Sequence, residues 1–276
     1  MQRILIPVDF STSSRAAIDY ALEIYSPDKY TYVLLHAFGS SRTNEFLISI
    51  DDIIESDIEK KLELERDHII RVSGDDQIKV ELKWEKCEII EAIERLIEHI
   101  PIKLVVIGSE NGISWSGDSN LNNVKTMNFV KEISLPLLIV PVNGRLRNPK
   151  DVLFATRLNG IKDQEDVAPL IDLVRNCLSR LDIINVGTDK QEGHEINKKL
   201  ERTVDGFFEN LPIEMHALES REVFKSIVEF TEEHHSDLVC ILYRKHNLLE
   251  RVLRESVSEQ IMADLRWPLL TLKHQE

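Results

Sequence analysis

Short apolar runs alternate with longer helical patterns from the start of the chain. Residues 4–8 form a continuous apolar run, which predicts a strand buried on both faces of a parallel sheet. Asp9 follows where this strand would leave the sheet, and residues 11–14 carry hydroxyl groups that can cap a helix. Apolar positions at three- and four-residue spacing continue to Tyr25 and indicate that helix. Together these features predict the first half of a βαβ unit.

The same alternation continues to about residue 140. The charged segment 45–72 carries an apolar stripe, which predicts one long amphipathic helix or two. A second stripe predicts a helix at residues 88–100, and a short helix precedes the last strand of this half. The remaining apolar runs predict strands at residues 32–37, 78–84, 104–108 and 137–140.

A turn-rich stretch at residues 143–149 is followed by a second copy of the pattern. The motif Trp-Pro-Leu-Leu at 267–270 repeats Leu-Pro-Leu-Leu at 135–138. We therefore predict an α/β chain of two tandem domains, residues 1–144 and 149–276, each with a five-stranded parallel sheet. The elements predicted in the second copy are strands at 151–156, 181–186, 213–217, 237–242 and 267–272, and a helix at 223–235.

Composition and charge narrow the class of protein. Hydrophobic residues make up 42% of the 276 residues and charged residues 30%, which is typical of a globular protein. The formal net charge of −14 argues against binding to nucleic acids or anionic membranes. Three widely spaced cysteines predict neither a disulfide framework nor a zinc site. Asp9 interrupts the only apolar run that could act as a signal peptide, so we expect a cytoplasmic protein.

Asp9 has two interpretations. Ligands of parallel α/β sheets bind at the carboxyl ends of the strands, so Asp9 lies where a ligand could be contacted. Alternatively, Asp9 and Ser11 only cap the following helix, which is a common arrangement. Spacing alone favours the capping interpretation.

Seven segments of the chain together carry a family resemblance. They are ILIPVDFS (4–11), LLHAF (34–38), LVVIGS (104–109) and LPLLIVPV (135–142), and more weakly DVLFAT (151–156), DLVCILY (237–243) and WPLLTLK (267–273). In this combination they resemble the universal stress protein family. The resemblance implies a Rossmann-like fold of the adenine nucleotide alpha-hydrolase type, with strand order 3-2-1-4-5 and helices on both faces of each sheet. It also implies that fifth strands pair across a dimer interface, which a tandem chain can satisfy internally while leaving a further homodimer open.

Members of this family that bind ATP carry the pattern Gly-x2-Gly-x9-Gly-Ser/Thr after the fourth strand. Glycines let the backbone approach the phosphates, and the last pair opens a helix whose N–H groups hold the anion. On this resemblance Asp9 would lie near the adenosine and Ala37 at the adenine. The implied cofactor is ATP, accompanied by Mg²⁺ if it binds, in the first domain only.

The glycine pattern is incomplete in this chain. Gly108 is present, but the next glycine, Gly112, comes one residue late, and Asn111 holds the expected position. Asn123 and Val124 stand where Gly-Ser is expected; asparagine tolerates the left-handed conformation, but valine has no hydroxyl to donate. The candidate nucleotide-binding residues are therefore Asp9, Ala37, Gly108, Asn111, Gly112, Asn123 and Val124.

The second copy departs further from the pattern. Arg157 replaces the aspartate after the first strand, and no glycine occurs between Leu238 and Gln275. We therefore expect this copy to be degenerate as a nucleotide site. Its basic residues either bind an anion or an acidic partner, or pair with glutamates on the same predicted helix. These basic residues are Arg244, Lys245, His246, Arg251 and Arg254.

The leading hypothesis is a universal stress protein that acts as a regulatory or binding module in the stress response, with weak adenine-nucleotide binding in domain 1. The alternatives are a nucleotide-independent protein-interaction scaffold and a slow ATPase. Neither a G-x-S-x-G motif nor a P-loop is present, and His234-His235 lacks partners for a metal site, so we expect neither an enzyme nor a metal protein. The partner protein is left unidentified.

Overall fold

Ten strands form a single sheet in the computed structural model of the chain. Within the described residues the strand order is β3-β2-β1-β4-β5-β10-β9-β6-β7-β8. The residues that the structure describes are 1–39, 48–110, 126–144, 146–156, 161, 163–187, 206–243 and 266–273.

The first half of the chain supplies five neighbouring parallel strands in the order 3-2-1-4-5. Its elements are β1 (Gln2–Pro7), α1 (Thr12–Ile24), β2 (Tyr30–Ala37), α2 (Ile48–Ser73), β3 (Val80–Glu85), α3 (Ile89–His99), β4 (Leu104–Ser109), α4 (Thr126–Glu132) and β5 (Leu137–Pro141). The charged segment that predicted one helix or two is one helix, α2. Contacts between side chains three or four residues apart, Lys61 with Asp57 and Arg66 with Glu63, support its solvent face.

The second half repeats this strand order. Its elements are β6 (Asp151–Ala155), a 3-10 turn (Glu165–Val167), α5 (Ala168–Cys177), β7 (Arg180–Gly187), β8 (Ile213–Glu219), α6 (Val223–Glu233), β9 (Leu238–Tyr243) and β10 (Leu269–Lys273). The fold class expected from the sequence is thus confirmed, although the sequence analysis did not assign α5. The domain boundaries at residues 144 and 149 stay a prediction.

The two halves join through their fifth strands. β5 and β10 pair antiparallel, with Leu138 opposite Leu270 and Leu137 opposite Thr271. The Thr271 hydroxyl also donates a hydrogen bond to the Leu137 carbonyl, with 3.4 Å between the oxygens. This confirms the expected pairing of the fifth strands within one chain.

Apolar side chains of the strands alternate between two hydrophobic layers. Ile4 and Ile6 face the layer that contains α1, α2 and α5, whereas Leu5 faces the layer that contains α3, α4 and α6. The sheet is therefore covered by helices on both faces, as the continuous apolar runs predict. No helix in the described part of the chain is long and apolar enough to cross a lipid bilayer.

The two copies share one strand register, which fixes the residues that correspond between them. Counting along the strands from the paired residues, Gly108 corresponds to Leu242 and Asp9 to Arg157. The two copies therefore differ at both of these candidate positions. The pairs that define the register are Ile4–Leu104 in the first half and Val152–Leu238 in the second.

Asp237 anchors the segment between the halves to the start of β9. Its carboxylate accepts hydrogen bonds from Arg147 Nε and Nη2, at 3.0 and 2.7 Å, and from the Lys150 amide at 2.9 Å. The amide of Asp151 adds a longer bond of 3.3 Å. Burial by itself would raise the pKa of Asp237, but these hydrogen bonds outweigh it and hold the pKa below its ordinary value.

Candidate functional site

The carboxyl ends of β1, β2 and β4 meet at one edge of the first half, where ligands of parallel sheets bind. Asp9 lies there directly after β1 and is buried. Its Oδ1 accepts hydrogen bonds from the Ser11 amide at 3.1 Å and from the Ser11 hydroxyl at 2.5 Å. The carboxylate is therefore held against the turn that leads into α1.

Ser11 is the N-cap of α1, as its position in the sequence predicts. Its Oγ accepts a hydrogen bond from the Ser14 amide at 3.2 Å and lies 2.8 Å from Ser13 Oγ. The turn is tight because Phe10 has a left-handed backbone, with φ of 64°. The hydrogen bonds of Asp9 described above are thus those of a capping turn, which is the second of its two interpretations.

Gly108 is needed where β4 passes under the first turn of α1. A Cβ added there would overlap the Ser13 carbonyl and lie 3.0 Å from Ser13 Cα. These are backbone atoms, so no side-chain rotation relieves the overlap. The glycine therefore has a packing role that requires no ligand.

The second half shows what accompanies a larger residue at this position. Leu242 stands there, partly buried. The first described helical turn after β6 begins only at Glu165, whereas α1 begins at Thr12, close to the end of β1. Among the described residues, an immediate helix start accompanies the glycine, and a later start accompanies the leucine.

His36 and Ala37 end β2 beside Asp9. Ala37 is buried on the α3 face and lies opposite Glu85 of β3. His36 Nδ1 donates a hydrogen bond to the Val8 carbonyl at 2.7 Å. Burial lowers the pKa of His36, so its ring is neutral near pH 7. His36 therefore ties the ends of two strands together, as expected for a buried, hydrogen-bonded histidine.

Aromatic rings continue from His36 along this edge, beneath α2. The Phe10 and His36 rings lie 4.6 Å apart, and the Phe38 and Trp84 rings 5.9 Å apart, measured between centroids. Lys61 Nζ lies 5.6 Å from the Phe10 ring, a cation–π distance. A groove of about 660 Å³ opens between α2 and β3. Residues along it include Glu59, Lys60, Leu62, Leu64, Leu82 and Trp84.

The structure brings three of the candidate residues, Asp9, Ala37 and Gly108, to this one edge. A chain of contacts joins two of them, because Asp9 holds Ser11, Ser11 contacts Ser13, and Ser13 packs on Gly108. The other candidates, Asn111, Gly112, Asn123 and Val124, lie outside the described residues, as do Arg157 and the basic residues at 244–254.

One polar group that the sequence analysis did not single out lies away from this edge. Asp182 of β7 is fully buried, and its Oδ1 lies 3.0 Å from Nε2 of His216 on β8. The available signal was a carboxylate within the predicted strand at residues 181–186. Its partner could not be read from a local pattern, because the contact crosses between strands.

Comparison with known proteins gives a consistent picture of the fold. The model of the universal stress protein family matches residues 1–141 and 181–273. The chain is similar to a universal stress protein from Archaeoglobus fulgidus DSM 4304, with 15% identity, coverage of 99% of this chain and 98% of that chain, and a TM-score of 0.73. No curated protein sequence gives a significant match.

Two further solved structures cover 99% of this chain. One is a functionally unknown protein from Pseudomonas aeruginosa PAO1, with 14% identity, 93% of that chain covered and a TM-score of 0.58. The other is the cytoplasmic domain of a prokaryotic cation chloride cotransporter, with 13% identity, 96% of that chain covered and a TM-score of 0.57. At these identities the likeness supports the fold alone.

Proposed function

The chain belongs to the universal stress protein family, and from this premise we propose that it is a cytoplasmic regulatory or binding module of the stress response. We further propose that it binds an adenine nucleotide weakly, with Mg²⁺, in the first half only. The second half serves as the structural partner that completes the fifth-strand pairing. The proposal rests on the difference between the two sheet edges.

The observation that carries the nucleotide proposal is the carboxylate of Asp9 at the carboxyl ends of the strands in the first half of the sheet. A buried carboxylate at this position can accept hydrogen bonds from ribose hydroxyls. The corresponding residue of the second half is Arg157, and a guanidinium accepts no hydrogen bond. This asymmetry favours a single site per chain.

The expected affinity is low because the phosphate end of the site departs from the family pattern. Asn123 and Val124 replace the Gly-Ser pair, so the hydroxyl and one flexible backbone position are lost. The net charge of −14 also opposes a polyphosphate. We expect a Kd of about 1 mM, equivalent to roughly −4 kcal/mol of binding free energy.

A second candidate function is a protein-interaction scaffold that binds no nucleotide. The observation in its favour is the packing of Ser13 on Gly108, which explains this glycine without any phosphate. The capping bonds of Asp9 to Ser11 likewise need no ligand. The two candidates differ in one measurable property, the binding of ATP.

Calorimetric titration with ATP and Mg²⁺ separates them. The informative variant is Asp9→Asn, which removes the charge but keeps an oxygen that can accept the Ser11 hydrogen bonds. The matched control is Asp76→Asn, an exposed aspartate in the turn before β3. The proposal expects about one ATP per chain, weakened in Asp9→Asn and unchanged in Asp76→Asn.

The outcome against the nucleotide proposal is equally direct. Absence of heat at millimolar ATP would favour the scaffold. Equal binding in all three proteins would place the nucleotide away from Asp9 and would contradict the proposed site. Substitution of Gly108 is not a suitable test, because a side chain there disturbs packing as well as any ligand.

We propose that bound ATP is not hydrolysed. His36 is the titratable side chain closest in sequence to Ala37, and it is neutral, bonded to the Val8 carbonyl and packed against Phe10. It is thus committed to structure, not to activating water. Phosphate release with excess ATP should equal that of a protein-free control; release above it, reduced in Asp9→Asn, would favour the slow ATPase.

A further inference from the structure

The amino ends of β7 and β8 carry a polar cluster far from the edge discussed above. Asp182 and Glu214 lie opposite each other in the strand pairing, and His216 lies two residues beyond Glu214 on the same face. One carboxylate oxygen of each acid and one imidazole nitrogen all lie within 4.8 Å of one another. Each of these atoms is a common metal ligand.

Asp182 is the unusual member of this cluster, because its side chain is fully buried (0% exposed). Its Oδ1 meets His216 Nε2 at 3.0 Å, but its Oδ2 is buried and has no hydrogen-bond partner. A carboxylate taken out of water without full compensation is costly, so buried acids are normally paired or bound to a cation.

The nearby cation compensates Asp182 only in part. Arg180 Nη2 lies 3.5 Å from Asp182 Oδ2, too far for a hydrogen bond of good geometry. The Arg180 side chain is 45% exposed, and its Nε is 3.1 Å from the carboxylate of Asp151. The arginine is therefore shared between two acids and open to solvent.

Aromatic packing fixes the position of the imidazole. The His216 ring lies edge-on to the Phe230 ring of α6, with 4.8 Å between centroids. The His234 ring stacks on the same Phe230 ring, with 3.8 Å between centroids. The His216 and His234 centroids are 5.4 Å apart. A held imidazole beside two carboxylates is a preorganised set of ligands.

We propose that Asp182, Glu214 and His216 bind a divalent transition-metal ion of the zinc class. One imidazole nitrogen and two carboxylate oxygens suit such an ion, whereas all-oxygen sets suit Mg²⁺ or Ca²⁺. Glu214 is exposed on β8, the last strand of the described sheet, so the ion can enter from solvent. Three protein ligands leave further positions to water.

The test is calorimetric titration of the full chain with Zn²⁺ alone. Glu214→Gln removes an exposed ligand charge, and His216→Gln removes the imidazole but keeps a group that can bond to Asp182. Glu219→Gln is the matched control, because Glu219 is also exposed on β8 but near its other end. We expect one Zn²⁺ per chain, with affinity at least about tenfold lower in both ligand variants and unchanged in the control.

Either of two results would overturn the proposal. The first is no binding of Zn²⁺ to the wild-type chain, which would leave His216 as a hydrogen-bond partner of Asp182. The second is unchanged binding in Glu214→Gln and His216→Gln, which would place the metal on other residues. Circular dichroism and the unfolding midpoint of the metal-free variants show whether each one is folded, and Glu214→Gln alters no buried group.

Discussion

Gly108 illustrates how one residue can carry a requirement that resembles a ligand motif. Its missing side chain makes room for the backbone of Ser13, and so for the start of α1 close behind β1. In the sequence this glycine belongs to a pattern associated with phosphates. In the fold it is already accounted for by the approach of helix to strand.

Gly108→Ala should therefore destabilise the protein by about 3 kcal/mol, at the upper end of overpacking costs, because the added methyl meets backbone atoms. Urea unfolding at constant pH measures the loss. Gly206→Ala is the control, since no atom lies within 4 Å of its added Cβ. Equal stability of Gly108→Ala and wild type would show that α1 can shift freely on β4.

Asp237 gives a pH-dependent prediction. Its pKa in the folded protein lies below the ordinary value of 3.8, so the carboxylate stabilises the fold at pH values above 3.8. This contribution is lost as the pH falls through the lowered pKa. Asp237→Asn should lower the free energy of unfolding at pH 6 and should weaken its decrease as the pH falls below 3.8. Urea unfolding at pH 6 and at several pH values below 3.8 measures both effects. An unchanged acid dependence in the variant would contradict this assignment.

Local sequence predicted some of these residues and not others. Asp9 and Ser11 are neighbours in sequence, so the turn chemistry that joins them is visible in the order of residues. The contact between Asp182 and His216 joins residues on different strands, and no spacing rule brings them together. Long-range polar pairs of this kind depend on strand order and register, which only the folded chain fixes.

At the scale of elements, the start of α1 depends on a single cap. Ser11→Ala removes the acceptor for the Ser14 amide and should cost about 1 kcal/mol of the free energy of unfolding. Thr12→Ala changes the next hydroxyl, which is exposed, and should change stability by less than about 0.5 kcal/mol. Thermal unfolding of both variants provides the comparison, and equal effects would contradict the capping role.

Strands were predicted more completely than helices. Eight of the ten strands contain a compact apolar run and need only their ends adjusted. The two partly exposed strands differ, because β3 is found from its alternation and β8 from its correspondence to β3 in the repeat. The helix α5 went unassigned because it begins far from β6, after a 3-10 turn. Asp163 Oδ1 accepts hydrogen bonds from the amides of Glu165 and Asp166 and so holds that turn. A turn held in this way has no regular apolar spacing, so the sequence before α5 does not mark the start of a helix.

At the scale of the whole molecule, the halves are joined by more than the strand pairing. Lys103 pairs with Asp172 of α5, and the Asn176 amide donates to the Tyr30 hydroxyl at 3.1 Å. Asp237 in addition holds the segment that connects the two halves. The contacts between the halves therefore include α5 as well as the paired strands β5 and β10. Loss of either half would therefore expose β5 or β10 and leave these polar groups without partners.

The two halves should accordingly unfold in one cooperative transition. In a Trp84→Phe/Trp115→Phe variant, Trp267 is the remaining tryptophan and reports on the second half. Its fluorescence transition in urea should coincide with the far-ultraviolet circular dichroism of the whole chain. A two-step dichroism curve, with Trp267 following only one step, would show that the halves unfold separately.

The antiparallel junction of β5 and β10 has a consequence for how such a protein can change over generations. In a dimer of identical chains, every substitution enters twice, on both sides of the shared sheet. In this chain a substitution occurs in one half only, so one half can lose a residue that the other half keeps. Leu242 at the position that corresponds to Gly108, and Arg157 at the position that corresponds to Asp9, are differences of that kind. Carrying both halves on a single polypeptide therefore lets one half change without imposing the same change on the other.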